Sequence, residues 1–532
     1  MNKLSLIILC IVVCYSATFG QKDNLKNWHH KDPKKDKFQG ISSNKAYQEL
    51  LKGRPSKTVI VAIIDSGTDT THEDLKGKFW VNKDEIPNNG IDDDNNGYID
   101  DINGWNFLGN SKGENILHET LEITRVYNNL KTKFTNKDTT ELDNNEKKEY
   151  EFYKKVTADF QKKYKKAKSD YDGFTLFSEY YTTANNNVKE ELKKDDYTID
   201  DLKNISSSKN ETIKNSALYL SQLYEKGFTK TEFNSFKRHV ESQYKYRYNV
   251  DNNQRQIIGD DPTNKNDSVY GNNDIMGPSC GHGTSVAGIV AANRNNNNDA
   301  YGIADNVKVM ILRVVPDGDE RDKDVANAIK YAVNNGAQVV NMSFGKDYSP
   351  QKQMVDDALL LAEQKKVLLI HAAGNEAENS DIKWHYPTNS LDSNNIITKY
   401  WIEVGASSIK ANKKLPAVFS NYGQQSVDVF APGVRVYSLQ PGNKYESADG
   451  TSSACPVVTG IAAMLMSYFP QLSPLEIKEI ILNSSVPFKK LKVYLPDKSS
   501  KKTKKVKFGT LSKTGAVVNA YNAVKMAIEK VN

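Results

Sequence analysis

Three side chains far apart in the chain are of the types that nucleophilic acyl transfer requires: Asp65, His282 and Ser452. A hydroxyl attacks poorly until a base takes its proton, and the base works best when an anion orients it and stabilises its charge. Ser452 lies in Gly450-Thr451-Ser452-Ser453-Ala454-Cys455-Pro456, ahead of the apolar run 457–465, which predicts a buried helix. The free amides and dipole at such a helix start favour negative charge near the serine oxygen, although Ser and Thr also begin helices simply as caps. His282 opens the small-residue segment His282-Gly283-Thr284-Ser285-Val286-Ala287-Gly288, a helix that must pack closely. Asp65 follows a β-branched run, where a carboxylate serves either chemistry or the capping of a turn. The order Asp, His, Ser is one of three in which such a triad occurs. Asn375, in Ala372-Ala373-Gly374-Asn375, adds a side-chain amide able to donate to a developing oxyanion.

The elements that must position these residues read as an α/β fold. The run Thr58-Val59-Ile60-Val61-Ala62-Ile63-Ile64 is apolar at every position after the first, as expected of a strand buried on both faces of a parallel sheet. From residue 270 strands and helices alternate: strand 307–315, helix 325–335, strand 339–342, helix 354–364, strand 367–372. That order implies a parallel sheet covered on both faces. Open sheets of this kind place chemistry at the carboxyl ends of their strands, where Asp65 and Asn375 fall. Residues 111–270 have a different character. Tyr153, Val156, Phe160 and Tyr164 recur at helical spacing, as do Leu220, Leu223, Tyr224 and Phe228. With 28 Lys and Arg against 27 Asp and Glu, this segment is no nucleic-acid surface; its charges read as solvated helix faces around an aromatic core. The organisation read from the chain is therefore a targeting segment 1–20, a leader 21–57, a first globular part 58–110, a helical insertion 111–270 and a second globular part 271–532.

The net charge of +6 over 532 residues is too small to argue for nucleic acid. Lys3, the apolar stretch 4–13 and the small residues around Thr18-Phe19-Gly20 read as a signal peptide cleaved before Gln21, so export to the periplasm, the cell surface or the medium is expected. The apolar stretch is too short for a membrane anchor. Cys280 and Cys455 are the cysteines beyond that segment, and either a single disulfide or two buried thiols fits them. The turn Asp92-Asp93-Asp94-Asn95-Asn96-Gly97 alternates oxygen donors at Asp92, Asp94 and Asn96, in the manner of part of a calcium loop, but the bidentate Glu of a full loop is missing. A structural calcium and a solvated acidic turn both fit, and neither is needed for the chemistry.

At these same residues the sequence resembles the subtilases, the subtilisin-like serine peptidases. The matching segments are Ile63-Ile64-Asp65-Ser66-Gly67, His282 to Gly288, Ala373-Gly374-Asn375 and Gly450 to Pro456, over roughly residues 40–110 and 271–532. The resemblance implies a mostly parallel sheet flanked by helices. It also implies Asp65, His282 and Ser452 as the triad and Asn375 as the oxyanion donor. Ser343, Phe344 and Gly345, with Gly374, would bind substrate, Ser343–Gly345 pairing with it as an added strand. His385 would lie near the specificity pocket. Ser285 stands where the family commonly has a second histidine, and the leader is shorter than a full-sized prodomain. The insertion lies where many relatives have a short link, and is expected to restrict substrates or assist folding.

The expectation is a secreted serine endopeptidase acting on proteins or peptides through an acyl-enzyme. A catalytically inactive binding protein on the same scaffold and an esterase are the alternatives.

Overall fold

The computed structural model describes residues 25–294, 300–392, 395–499 and 504–532. The expected signal peptide lies outside them. The chain divides into two compact units: one holds Ile123–Asn252, and the other holds Asn24–Glu122 together with Asn253–Asn532. The helical unit is thus narrower than the compositional segment 111–270, whose two ends belong to the larger unit.

In the larger unit the strands are β1 (Val59–Asp65), β2 (Gly104–Asn106), β3 (Val307–Arg313), β4 (Val339–Met342), β5 (Leu368–Ala372), β6 (Trp401–Ser407), β7 (Val429–Pro432), β8 (Val436–Gln440), β9 (Lys444–Ala448), β10 (Val486–Pro487), β11 (Lys492–Tyr494), β12 (Lys505–Lys507) and β13 (Ala516–Val517). Nine of them form one sheet in the order β10-β13-β7-β6-β5-β4-β1-β3-β2. Every pairing in it is parallel except β10 with β13, so the fold is the mostly parallel, helix-flanked sheet expected. The basic stretch near 489–507 contributes the antiparallel hairpin β11–β12.

Strand β1 sits near the middle, between β4 and β3. Its side chains alternate between faces, as the pleat requires. Val59, Val61 and Ile63 enter a core with the helices Gly281–Ala291 and Thr451–Tyr468, while Ala62 and Ile64 enter a second core with Asp322–Asn334 and Lys352–Lys365. Both faces are therefore covered, which explains why the run lacks polar alternation.

Next to this sheet, Arg255 is buried between Asp260 and Asp324, at 2.6 Å from each. Asp324, fully buried, also accepts the Tyr270 hydroxyl at 2.5 Å. Removing one partner strands the other's charge in the interior. Asp324→Ala is therefore expected to cost about 3–5 kcal/mol of stability in urea unfolding.

The helical unit is built on Asn144–Leu192, whose start is closed by a capping box between Asp143 and Glu146. Phe160 stacks on Tyr127 at 4.2 Å between centroids, and Leu220, Leu223 and Phe228 share a core with Phe174, Phe177 and Tyr181. The aromatic stripes read from the sequence are this unit's own interior.

Candidate active site

Because the sheet is parallel, the carboxyl ends of β1, β4 and β5 open on one edge. Asp65 is the last residue of β1, Ser343 follows β4, and Gly374-Asn375 follow β5. His282 is the second residue of the helix Gly281–Ala291, and Ser452 the second of Thr451–Tyr468. Both helices pack in the core on one face of β1.

His282 and Asp65 meet directly: Nδ1 lies 2.7 Å from Asp65 Oδ1. The close approach depends on Gly283, where a Cβ would overlap the carbonyl oxygen of Gly67. Asp65 is buried, and the same oxygen accepts the Ser66 N–H at 2.7 Å. A buried carboxylate that accepts at this oxygen assigns the Nδ1 proton to histidine, leaving Nε2 as the basic nitrogen. Burial of the ring opposes its charge, but the charge of Asp65 and the hydrogen bond to it outweigh that and raise the imidazole above its ordinary value.

Ser452 and Asn375 are organised around Thr451. The Thr451 N–H donates to Asn375 Oδ1 at 2.8 Å, and its hydroxyl donates to the same oxygen at 3.1 Å. With its oxygen committed, the Asn375 amide presents its Nδ2–H groups as donors. Ser453 and Ala454 N–H both turn back to the Gly450 carbonyl. Among the described residues neither the Ser452 N–H nor its hydroxyl has a hydrogen-bond partner. The Asp65–His282 contact is thus formed, and no hydrogen bond joins His282 to Ser452 in this structure.

A positioning residue that the sequence reading missed is Asn421. Its Oδ1 accepts the N–H of Glu376 at 3.0 Å and of Glu378 at 2.9 Å, and its Nδ2 donates to the Ala373 carbonyl at 2.9 Å. It therefore clamps both sides of Asn375. A clamp between segments 43 to 48 residues apart has no local signal in the sequence.

Ser343 and Phe344 are buried. The Phe344 carbonyl lies 2.9 Å from His371 Nε2, so it is engaged on the inner side. The imidazole of His385 comes between the Ser343–Gly345 segment and the Gly374 loop: a Cβ on Gly345 would overlap its Nε2, and one on Gly374 would lie 3.1 Å from it.

In the acidic turn the expected Asp92 and Asp94 are joined by a third carboxylate, Glu85. One oxygen each of Glu85, Asp92 and Asp94 lies within 4.8 Å of the others. The Asn96 amide oxygen accepts the Tyr98 N–H at 2.7 Å, and its Nδ2 donates to Asp94 and Asp101 at 3.0 Å each. Glu85 supplies a carboxylate that the local motif lacks. Cys280 and Cys455 are free, buried thiols, so no disulfide joins them.

The model of the subtilase family matches residues 56–516, and the chain belongs to that family; it is a serine-type endopeptidase, a hydrolase of proteins. It is similar to subtilisin DY of Bacillus licheniformis, 35% identical over 37% of this chain and 68% of that one. Subtilisin BL of Lederbergia lenta is 33% identical over 40% of this chain and 73% of its own. The thermophilic serine proteinase of Bacillus sp. (strain AK1) is 37% identical over 35% of this chain and 42% of its own. Among the described residues no helix is long and apolar enough to cross a membrane.

Proposed function

We propose that this endopeptidase cleaves extended peptide segments by acyl transfer through Asp65, His282 and Ser452. The 2.7 Å contact between His282 Nδ1 and the buried Asp65 carries this reading. Ser452 Oγ attacks the scissile carbonyl while His282 Nε2 takes its proton, and Asp65 holds the ring and stabilises the imidazolium. Asn375 Nδ2 and the Ser452 N–H receive the oxyanion. His282 then gives its proton to the leaving amine, and water hydrolyses the acyl-enzyme by the same steps. Ser343 and Gly345 hold the substrate by main-chain hydrogen bonds, and the residues around Gly374 border its side chain next to the cleaved bond. No cofactor is needed for these steps. The amino-terminal segment 1–20 would direct the protein out of the cytoplasm, which sequencing the mature amino terminus tests.

A serine-directed fluorophosphonate should label Ser452 stoichiometrically, and mass spectrometry locates the adduct; labelling elsewhere, or none, removes the assignment. Asn375→Ala is expected to lower kcat by about 10²–10³-fold with little change in KM, because the donor acts on charge that develops only in the transition state.

A structural calcium ion fits the donor set of the acidic turn, since hard carboxylate oxygens are its preferred ligands. Glu85, Asp92 and Asp94 would hold it, with Asn96 shaping the turn. Calcium added after chelation should raise the melting temperature, and Glu85→Gln should abolish that rise. An unchanged melt on calcium addition rules the ion out.

A further inference from the structure

Behind the Phe344 backbone lies a buried histidine that the chemistry above does not use. His371, in β5, is fully buried. Its Nε2 is 2.9 Å from the Phe344 carbonyl oxygen, and its Nδ1 is 3.0 and 3.1 Å from the two oxygens of Glu403 in β6. A carbonyl only accepts, so Nε2 carries a proton. Glu403 Oε2 also accepts the indole N–H of Trp401 at 2.8 Å. A carboxylate that accepts at both oxygens leaves Nδ1 to supply the second proton.

We infer that His371 is an imidazolium paired with Glu403 that turns the Phe344 carbonyl into the protein and so presents Ser343 and Gly345 to the substrate backbone. It is a positioning residue for extended peptides. Successive carbonyls along an extended segment point in opposite directions, so fixing one inward turns its neighbours outward. Gly345 N–H and C=O have no partner among the described residues and are free to pair. The inference rests on the proposed substrate role of this segment.

The charged surroundings suit one cation. Glu403 faces His371 from β6, and the Glu403 N–H is tied to Asp428, which is paired with Lys513 at 2.8 Å. The nearest other titratable ring, His385, has its centroid 6.0 Å away. Burial, against the attraction of Glu376 and with the repulsion of His371 itself, holds His385 below its ordinary value, and Asp347 and Glu403 act on it as further anions. His385 is therefore the neutral neighbour.

The test uses the full-length protein with ¹⁵N-labelled histidine. At neutral pH both His371 nitrogens should show imidazolium shifts; one unprotonated nitrogen overturns the inference. Kinetics supply a functional readout, using a peptide p-nitroanilide with four residues before the cleaved bond and a short acyl ester that does not reach the strand. His371→Gln keeps a donor without the charge. It should raise peptide KM about tenfold, the scale of one charge-assisted hydrogen bond, and leave ester kcat unchanged. An unchanged peptide KM overturns the inference. Fluorophosphonate labelling of both proteins separates the two readings: if the wild type is not labelled, the Ser452 assignment falls, and the nitrogen shifts still decide the charge on His371.

Discussion

Ser452→Ala is expected to lower peptide hydrolysis by about five to six orders of magnitude with an unchanged melting temperature. The substitution removes one oxygen from a partly exposed side chain that has no hydrogen-bond partner among the described residues. The helix start is held by its neighbours, through Thr451 to Asn375 and through the Gly450 carbonyl, so the scaffold does not depend on this hydroxyl. Catalysis does, because Asp65 and His282 act only through the nucleophile they activate. Ser453→Ala is the discriminating control. Ser453 is buried beside it, and its loss should change the rate only a few-fold. A Ser452→Ala protein with near wild-type turnover, or a Ser453→Ala protein without turnover, would displace the assignment.

Asp65→Asn should cost about 10⁴-fold in kcat. The asparagine amide can donate to Nδ1, which moves the imidazole proton to Nε2, the nitrogen that must be free to accept from Ser452. A pH profile adds a signature that a general loss of structure does not produce. With Asp65 present, the imidazole titrates above its ordinary value of 6.5, and the base must be neutral to act. The acid limb of the wild-type rate should therefore have its midpoint above that value, and the midpoint should fall in the variant. Stability moves the opposite way with pH. A raised folded-state value means that the pairing stabilises the native protein fully below pH 6.5, and that this contribution is lost as pH rises through the raised value. The wild type should lose its stability advantage over Asp65→Asn across that interval in paired urea titrations. Equal acid limbs in the two proteins would show that Asp65 does not set the charge of His282.

Much of this architecture was legible in the residues. The unbroken apolar run before Asp65 could only be a strand covered on both faces, and β1 contributes to two cores. The small residues after His282 marked a close contact, and Gly283 makes one against Gly67. Periodicity also separated the helical segment by its aromatic spacing. Its limits were less readable, because compactness depends on which residues touch and composition does not record that; the unit ends at Ile123 and Asn252. The acidic turn showed its aspartates, but Glu85 enters from outside the repeat. Thiol pairing was open until both cysteines were found unbonded in the interior.

The amino-acid sequence by itself determined the chemical types and the element that carries each: a carboxylate ending a strand, an imidazole and a hydroxyl each opening a helix, an amide after another strand. These follow from local steric preference and from hydrophobic period, which act over a few residues. Only the tertiary structure decided that β1 lies between β3 and β4, that Asn421 clamps the Asn375 loop, and that His371 joins Glu403 to the Phe344 carbonyl. Those contacts are hydrogen bonds between segments distant in the chain, and they form only when the sheet's register brings their donors and acceptors within about 3 Å.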